Sequence, residues 1–377
     1  MPINDPNTVA TARSPRLRVL MNGTELPGCK SFTVSNNSYF QADTFVAEFS
    51  LSAGANNPSG TKYDLKWWGD QVDILLDIQA CLDADKGDWK SLILGQVDRL
   101  HADPVKKTIH TEGRDLTARF IDAKTRETFQ NKTSSQIATE LAGRHIVNGS
   151  PMTADVTDTS TPVGRFYTAD HDRLTMNDFS ETTTEWDLLC FLAQNEGFDV
   201  WVTGTTLHFN PATKPDADPY EIVIDMDTPW SNAIGMTLER SLALAKDIVV
   251  SVRSWNSKQK KGFTVFNPNQ LSSGRVAQGK AQEFAFVRPN LTGQQAQELA
   301  NRLRDDLSKK ERLCTFTLPG DLILQPRNIL RLRGTNSSWD DQTYYVDVVT
   351  RSMSFGGGFS MTCRVKNHSP ETSVVAP

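Results

Sequence analysis

Apolar and polar positions alternate with period two through much of the first hundred residues. Phe45, Ala47, Phe49 and Leu51 share one parity, and Phe32 and Val34 alternate with polar neighbours in SFTVSNN. Such alternation predicts half-buried strands. Leu17–Val19 leads to a turn at Asn22-Gly23. A loop rich in Gly, Asn, Pro and Ser, from Ala53 to Lys62, interrupts the pattern, which resumes as a strand over Val72–Ile78 despite Asp73 and Asp77. Leu92–Val97 and Thr108–Glu112 flank a turn centred on Asp103-Pro104 and predict a hairpin. Six or seven short strands at this spacing predict a small antiparallel barrel or sandwich.

The period then changes. The stretch Thr108–Val147 reads as a strand, a turn at Gly113-Arg114-Asp115-Leu116-Thr117, a short helical piece and a capped helix. Thr133-Ser134-Ser135-Gln136 fits a capping box, in which hydroxyl and amide satisfy each other's orphan backbone donors. Ile137, Ala138, Leu141, Ala142 and His145 follow on one helical face. Thr184-Glu185-Trp186-Asp187 starts a second such helix, and Gly197 is placed to end it. FDVWVTGTTLHFN predicts two strands around Gly204-Thr205.

Lys214–Pro219 is a linker-like break, after which β character returns. Ile248–Val252 and Gly262–Phe266 read as a pair across the loop SWNSKQKK. Thr292-Gly293-Gln294-Gln295 opens a third capped helix, with Ala296, Leu299, Ala300, Leu303 and Leu307 on one stripe. Cys314–Leu318, Ile329–Leu332 and a closing hairpin complete the chain, Gly356–Gly358 supplying positive φ at its reversal.

The fold class expected is therefore α+β and β-rich, with two antiparallel β-barrel-like domains and a small α+β insert between them. Its boundaries are a flexible arm over 1–15, a first β domain over 16–124, an insert over 125–212, a second β domain over 213–366 with a helix near 293–310, and a loose tail over 367–377. One internal echo bears on this. Gly95-Gln96-Val97-Asp98-Arg99 and its return strand to Glu112 share a layout with Tyr345-Val346-Asp347-Val348-Val349 and its return to Arg364. Each is a closing hairpin with a Val-Asp step, as two copies of one barrel type would have.

Composition narrows the function more by exclusion than by pointing. The 377 residues are 38% hydrophobic and 23% charged, as in a globular protein on the polar side. No apolar run reaches the ~20 residues of a bilayer span, and the N-terminus lacks a signal peptide's apolar core. A net charge of −5 does not support whole-molecule attraction to nucleic acid or anionic lipid. Lys258, Lys260 and Lys261 read as a solvated hairpin loop, with contact to phosphate or an acidic partner as the alternative. Five scattered cysteines, without CxxC, read as buried reduced thiols.

Six dispersed histidines form no HExxH or HxH, so no metal site is expected. No Gly-x-Ser-x-Gly elbow or phosphate loop is present, and no cofactor or catalytic residue is expected. Glu181, Glu185, Asp187 and Glu196 are the carboxylates a glycosidase could use, although acids at a helix start already suit the macrodipole.

In order and spacing, several segments resemble the baseplate hub proteins of contractile phage tails, the late-control-D and Mu-like hub family. They are Glu112-Gly113-Arg114-Asp115-Leu116-Thr117-Ala118 with Phe120-Ile121-Asp122, Asn131–Ala138, Glu185–Leu189 through Ala193 with Gly197-Phe198, and Tyr344–Thr350. The resemblance runs from about residue 16 to 366. One departure is Pro326-Arg327-Asn328, where the family often has Pro-Gly; Asn can take the left-handed turn.

The resemblance implies a structural, non-enzymatic role in the virion baseplate, reached after folding in the host cytoplasm. It implies a homotrimer whose six barrels ring a lumen, matching a sixfold tail tube above to a threefold central spike below. The hub part of type VI secretion spike proteins is similar but continues into a spike, so here the spike is expected as a separate chain. Tail tube and baseplate wedge proteins are the other implied partners. DNA would pass the acidic lumen without specific binding, and no membrane insertion by this chain is implied. A cell-wall hydrolase and a receptor- or glycan-binding tail protein are the competing readings. Gly113, Arg114, Asp115, Leu116 and Thr117 are the candidate structural junction: a local ion pair and helix cap that could also set the angle between barrel and insert.

Overall fold

The computed structural model describes residues 2–6, 14–51, 62–83, 87–125, 129, 131–160, 184–228, 230–242, 247–256, 261–267, 281–288 and 291–367. The period-two segments fold as strands. β1 (Arg16–Met21) turns through Asn22 and Gly23, at φ 49° and 83°, into β2 (Thr24–Glu25). β3 (Cys29–Asn37) and β4 (Thr44–Ser50) bury Phe32, Val34, Phe45, Ala47 and Phe49, each at most 2% exposed. A short helix, α1 (Leu65–Gly69), presses Trp68 onto Phe49. β5 (Leu75–Cys81) starts later than its apolar run, and Val72 is exposed. The Asn22 side chain accepts from the Leu75 N–H and donates to the Asp73 carbonyl, so the β1 turn pins where β5 begins. β6 (Lys90–Asp103) and β7 (Thr108–Asp115) form the expected hairpin.

The helical period holds where it was read. α2 (Thr117–Asp122) is followed by α3 (Ser134–Arg144), which opens on the Thr133/Gln136 capping box. β8 (Ile146–Val147), β9 (Ser150–Pro151) and β10 (Thr153–Val156) lead to α4 (Glu185–Glu196), which opens on a Thr184/Asp187 box and ends at Gly197 with φ 72°. β11 (Phe198–Thr203) and β12 (Thr206–Pro211) make a three-stranded sheet with β10. Ile137, Leu141, Leu188, Leu192, Leu207 and Phe209 are wholly buried in one cluster between these helices and strands.

Beyond the 214–218 break come β13 (Pro219–Asp225), β14 (Trp230–Ser231) and β15 (Gly235–Arg240). β16 (Asp247–Asn256), β17 (Lys261–Asn267) and β18 (Ala281–Val287) form a separate three-stranded sheet. α5 (Gly293–Ser308) lays Ala296 and Ala300 on Ile248, Val250 and Val252 of that sheet, so it serves a small side unit instead of the main β core. β19 (Arg312–Pro319), β20 (Ile329–Arg333), β21 (Thr343–Ser354) and β22 (Gly358–Asn367) complete the order. Of the three hairpin glycines only Gly358 has positive φ, at 69°, and the Ser354 hydroxyl accepts the Gly357 N–H within the same turn.

The expectation of two antiparallel β-barrel-like domains is corrected in two respects. Among the described residues no sheet closes into a barrel, and both β regions share one fourteen-stranded sheet. The reason lies in the length of β21. Its first residues pair with β20, and Val348–Ser354 pair with β3, fusing the two regions across a seam. Two parallel pairs in the second β region, β13 with β20 and β16 with β18, also break the antiparallel rule. Of the 1–15 arm, Ile3 and Asn4 are docked on β13: the Ile3 N–H donates to the Pro219 carbonyl, and the Asn4 amide exchanges hydrogen bonds with the Glu221 backbone. Of the 367–377 tail, Asn367 closes β22 and is buried, and 368–377 lie outside the described residues.

Candidate functional site

The Gly113–Thr117 segment is strand before it is turn. β7 continues through Asp115 because Gly113 pairs with Phe45 of β4 on one side and with Val97 of β6 on the other. A Cβ on Gly113 would sit 2.2 Å from the Gln96 carbonyl oxygen and 2.5 Å from Phe45 Cζ. Gly95, across the hairpin, would bring a Cβ to 2.5 Å from the Arg114 carbonyl and 2.7 Å from Phe45 Cε1. Two glycines therefore let one buried aromatic ring lie flat on the hairpin.

Arg114 is not paired with Asp115, as the local ion-pair reading had it. Its guanidinium donates two hydrogen bonds to Asp98, at 2.7 and 2.9 Å, and two to Asp122 of α2, at 3.3 and 3.2 Å. This fork ties the hairpin to α2, the helix that leads into the insert. Asp115 faces inward, where its carboxylate accepts from the Thr117 N–H at 3.2 Å and the Thr117 hydroxyl at 2.9 Å. Asp115 thus takes the first N–H of α2 from one residue before the N-cap, Leu116, which makes no side-chain cap hydrogen bond. Leu116 and Thr117 are buried beside it.

Asp115 belongs to a buried polar chain that sequence reasoning missed. Its N–H donates to the Asp43 carbonyl, and the Asp43 carboxylate accepts from Asn36 and from the Asn37 N–H, each at 2.8 Å. Asn36 in turn accepts from Arg351, which is 0% exposed and donates to the carbonyls of Asp321, at 2.7 Å, and Leu324. Burial pushes the Asp43 carboxyl up to about 6. Burial, then the neighbouring Asp43, pushes Asp115 well above the carboxylate range. Desolvation lowers Arg351 to about 10. The chain crosses the β3–β21 seam. A signal was present: Arg351 holds the buried parity of a strand whose Val349 and Met353 are apolar.

Arg327 crosses the same region. It, not Asn328, takes the left-handed conformation at φ 72°. Its guanidinium lies 4.4 Å from the Trp201 ring centroid and donates to the Asn37 carbonyl.

The Val-Asp echo is structural. β6 shifts register between Val97 and Arg99, leaving Asp98 on a bulge, and β21 shifts between Val346 and Val348, leaving Asp347 on one. Gln96 pairs with Arg114, and Tyr345 pairs with Lys366. Lys366 then reaches Asp347 at 2.7 Å, as Arg114 reaches Asp98. The flanking strands correspond too: β5 meets Gln96 as β20 meets Tyr345, and β4 meets Gly113 as β19 meets Val365.

The carboxylates considered for hydrolysis serve other purposes. Glu185 binds His145 Nε2 at 2.7 Å beneath Phe120, Asp187 is the capping-box partner of Thr184, and Glu196 accepts from Ser134 at 2.7 Å. Glu181 lies outside the described residues, as do Lys258, Lys260 and the Lys261 side chain. Cys29, Cys81, Cys314 and Cys363 are buried and Cys190 is half-buried, all as free thiols, and burial pushes Cys29, Cys190, Cys314 and Cys363 up to about 12. Among the described residues no cluster of His, Cys, Asp or Glu could hold a metal, and no helix is long and apolar enough to cross a membrane.

No family model and no curated protein matches this sequence. Solved structures do resemble it. A tail protein from Neisseria meningitidis MC58 matches with a TM-score of 0.61 at 13% identity, over 93% of this chain and 96% of that one. The 43 kDa tail protein of prophage MuSo2 from Shewanella oneidensis matches with a TM-score of 0.65 at 15% identity, over 93% and 98%. An E. coli type VI secretion component, itself structurally similar to the T4 tail proteins gp27 and gp5, matches with a TM-score of 0.54 at 11% identity, over 93% and 77%. The chain thus has, over nearly its whole length, the β-rich fold of phage tail proteins and a type VI secretion component.

Proposed function

We propose that this chain is a structural baseplate hub of a contractile tail, three copies of which form a ring between the sixfold tube and a threefold spike. The observation that carries this is the internal repeat. Two hairpins with the same bulged aspartate and the same flanking strands sit in one chain, so three chains present six like units to a tube while keeping threefold symmetry for a spike. The likeness to tail proteins, and to a secretion component similar to gp27 and gp5, supports the same reading. In it, Gly113, Arg114, Asp115, Leu116 and Thr117 are the corner at which the first β region hands over to the insert. Wedge proteins would bind the outside of the ring, and DNA would pass through without specific contacts.

The hydrolase reading is weakened by geometry, since Glu185, Asp187 and Glu196 are each held at a helix end. Native mass spectrometry with negative-stain averages down the symmetry axis tests the proposal. A trimer with six lobes is expected, and a chain that stays monomeric even with its spike would overturn it.

A further inference from the structure

Eight antiparallel strands form one row through the molecule, in the order β15, β19, β22, β21, β3, β4, β7, β6. The row has two ends. At one, β15 pairs with β19 along one edge, and among the described residues its other edge has no strand. At the other, β6 pairs with β5 only through Gln96, and beyond the Asp98 bulge Arg99–Asp103 pair with β7 alone.

The internal repeat says what each end lacks. β21 is the counterpart of β6, and its segment beyond the bulge is covered by β3. β15 is the counterpart of β3, since it pairs with β19 as β3 pairs with β4. The chain therefore contains one complete seam, β3 on β21, and the two unjoined halves of a second.

From this we infer that β15 of one copy adds antiparallel to Arg99–Asp103 of the next, repeating the internal seam between chains. The inference rests on the hub reading for the number of copies, but its register comes from the chain itself. Within the seam Thr350 stands opposite Ser35, their hydroxyls 3.2 Å apart. By hairpin register His101 is the counterpart of Thr350, and Glu239 is the counterpart of Ser35. His101 thus falls opposite Glu239, Leu100 opposite Arg240, Ala102 opposite Leu238 and Asp103 opposite Thr237.

The side chains suit that register. Leu100 packs against the first β core and Leu238 against the second, so both apolar faces lie on the same side of the joined sheet. On the other side the exposed carboxylate of Glu239 faces the exposed His101, with Arg99 two residues along. The diagonal pair of Arg99 and Glu239 has opposite charges, which favours the contact, and an unpaired strand edge is a standing invitation to a complementary one. Because the two edges differ, the contact is head-to-tail, which closes only as a ring or runs on as a filament.

The test is a cysteine pair, His101→Cys with Glu239→Cys, in the full-length chain under mild oxidation. Directly opposed residues lie within disulfide reach, whereas residues far out of register do not. The expected result on a non-reducing gel is covalent species stopping at three chains, lost on reduction. They should be absent from either single variant and from Lys106→Cys with Glu239→Cys. A trimer by native mass spectrometry without this crosslink overturns the edge pairing and leaves the hub reading standing. Crosslinks running past three chains support the pairing and count against a three-membered ring. Monomer without crosslink at every concentration overturns both.

Discussion

Asp98 and Asp347 occupy the same position in two hairpins from opposite ends of the chain. Each is the extra residue of a bulge, and each is ion-paired to the base at the matching place on the partner strand, Arg114 or Lys366. Their surroundings differ. Asp98 is paired near the surface, whereas Asp347 is 4% exposed and also accepts from the Ser38 and Tyr39 hydroxyls. Removing a partly exposed carboxylate costs up to about 1 kcal/mol, and breaking a buried pair costs about 3 kcal/mol or more. Asp347→Ala is therefore expected to lower stability in urea unfolding well beyond Asp98→Ala. Equal losses would show that the two pairs are not buried differently.

Gly113→Ala is expected to destabilise the chain by about 1–3 kcal/mol, the usual range for overpacking. The new methyl meets both a backbone carbonyl and the Phe45 ring. The second copy of the hairpin shows the alternative solution. Where the first has Phe45 over Gly113 and Gly95, the second has Cys314 beside Val365 and Tyr344. Phe45→Cys should accordingly offset part of the Gly113→Ala loss. The double variant should be less destabilised than the sum of the singles, by about 0.5–3 kcal/mol as for residues in contact. Strict additivity in a double-mutant cycle would refute the volume exchange.

Stability should depend on pH through Asp43. Its carboxyl is pushed from 3.8 to about 6 in the folded chain, mainly by burial. Between about pH 4 and 6 the folded state then holds a proton that the unfolded state has released. Protonation favours folding, so this contribution is present at the acid end and is lost as pH rises through about 6. Asp115, raised in the same direction, adds to the effect. Asp43→Asn should flatten this part of the curve. The readout is the difference in urea midpoint between wild type and variant across pH 4 to 7, and a difference that does not change with pH would exclude Asp43 as the group responsible.

Strands and capped helices were legible because each is a local property. Alternation marked β3 and β4, since one face of each packs on the core, and Thr133/Gln136, Thr184/Asp187 and Thr292/Gln295 marked helix starts by chemistry within four residues. The seam was not legible, because Ser35 and Thr350 meet only through pairing across nearly the whole chain. The same holds for the site. Gly113, Arg114 and Asp115 stood out as a motif, but Asp98, Asp122, Asp43 and Arg351 become their neighbours only when β4, β6, α2 and β21 converge.

Arg114→Ala separates the corner's two roles. Its ion pairs with Asp98 and Asp122 are partly exposed, with the Arg114 side chain 28% accessible, so their loss should cost no more than about 1 kcal/mol of stability. The effect on assembly should be larger. A bulge bends and re-aims the strand that carries it, and the free edge Arg99–Asp103 begins directly after the bulged Asp98. By gripping Asp98 and Asp122 together, Arg114 fixes that edge relative to α2, the helix that leads into the insert. The variant should unfold at nearly the wild-type urea midpoint, yet show fewer trimers by native mass spectrometry at equal concentration. An unchanged trimer fraction and unchanged spike binding in a folded Arg114→Ala chain would reduce the fork to a surface ion pair.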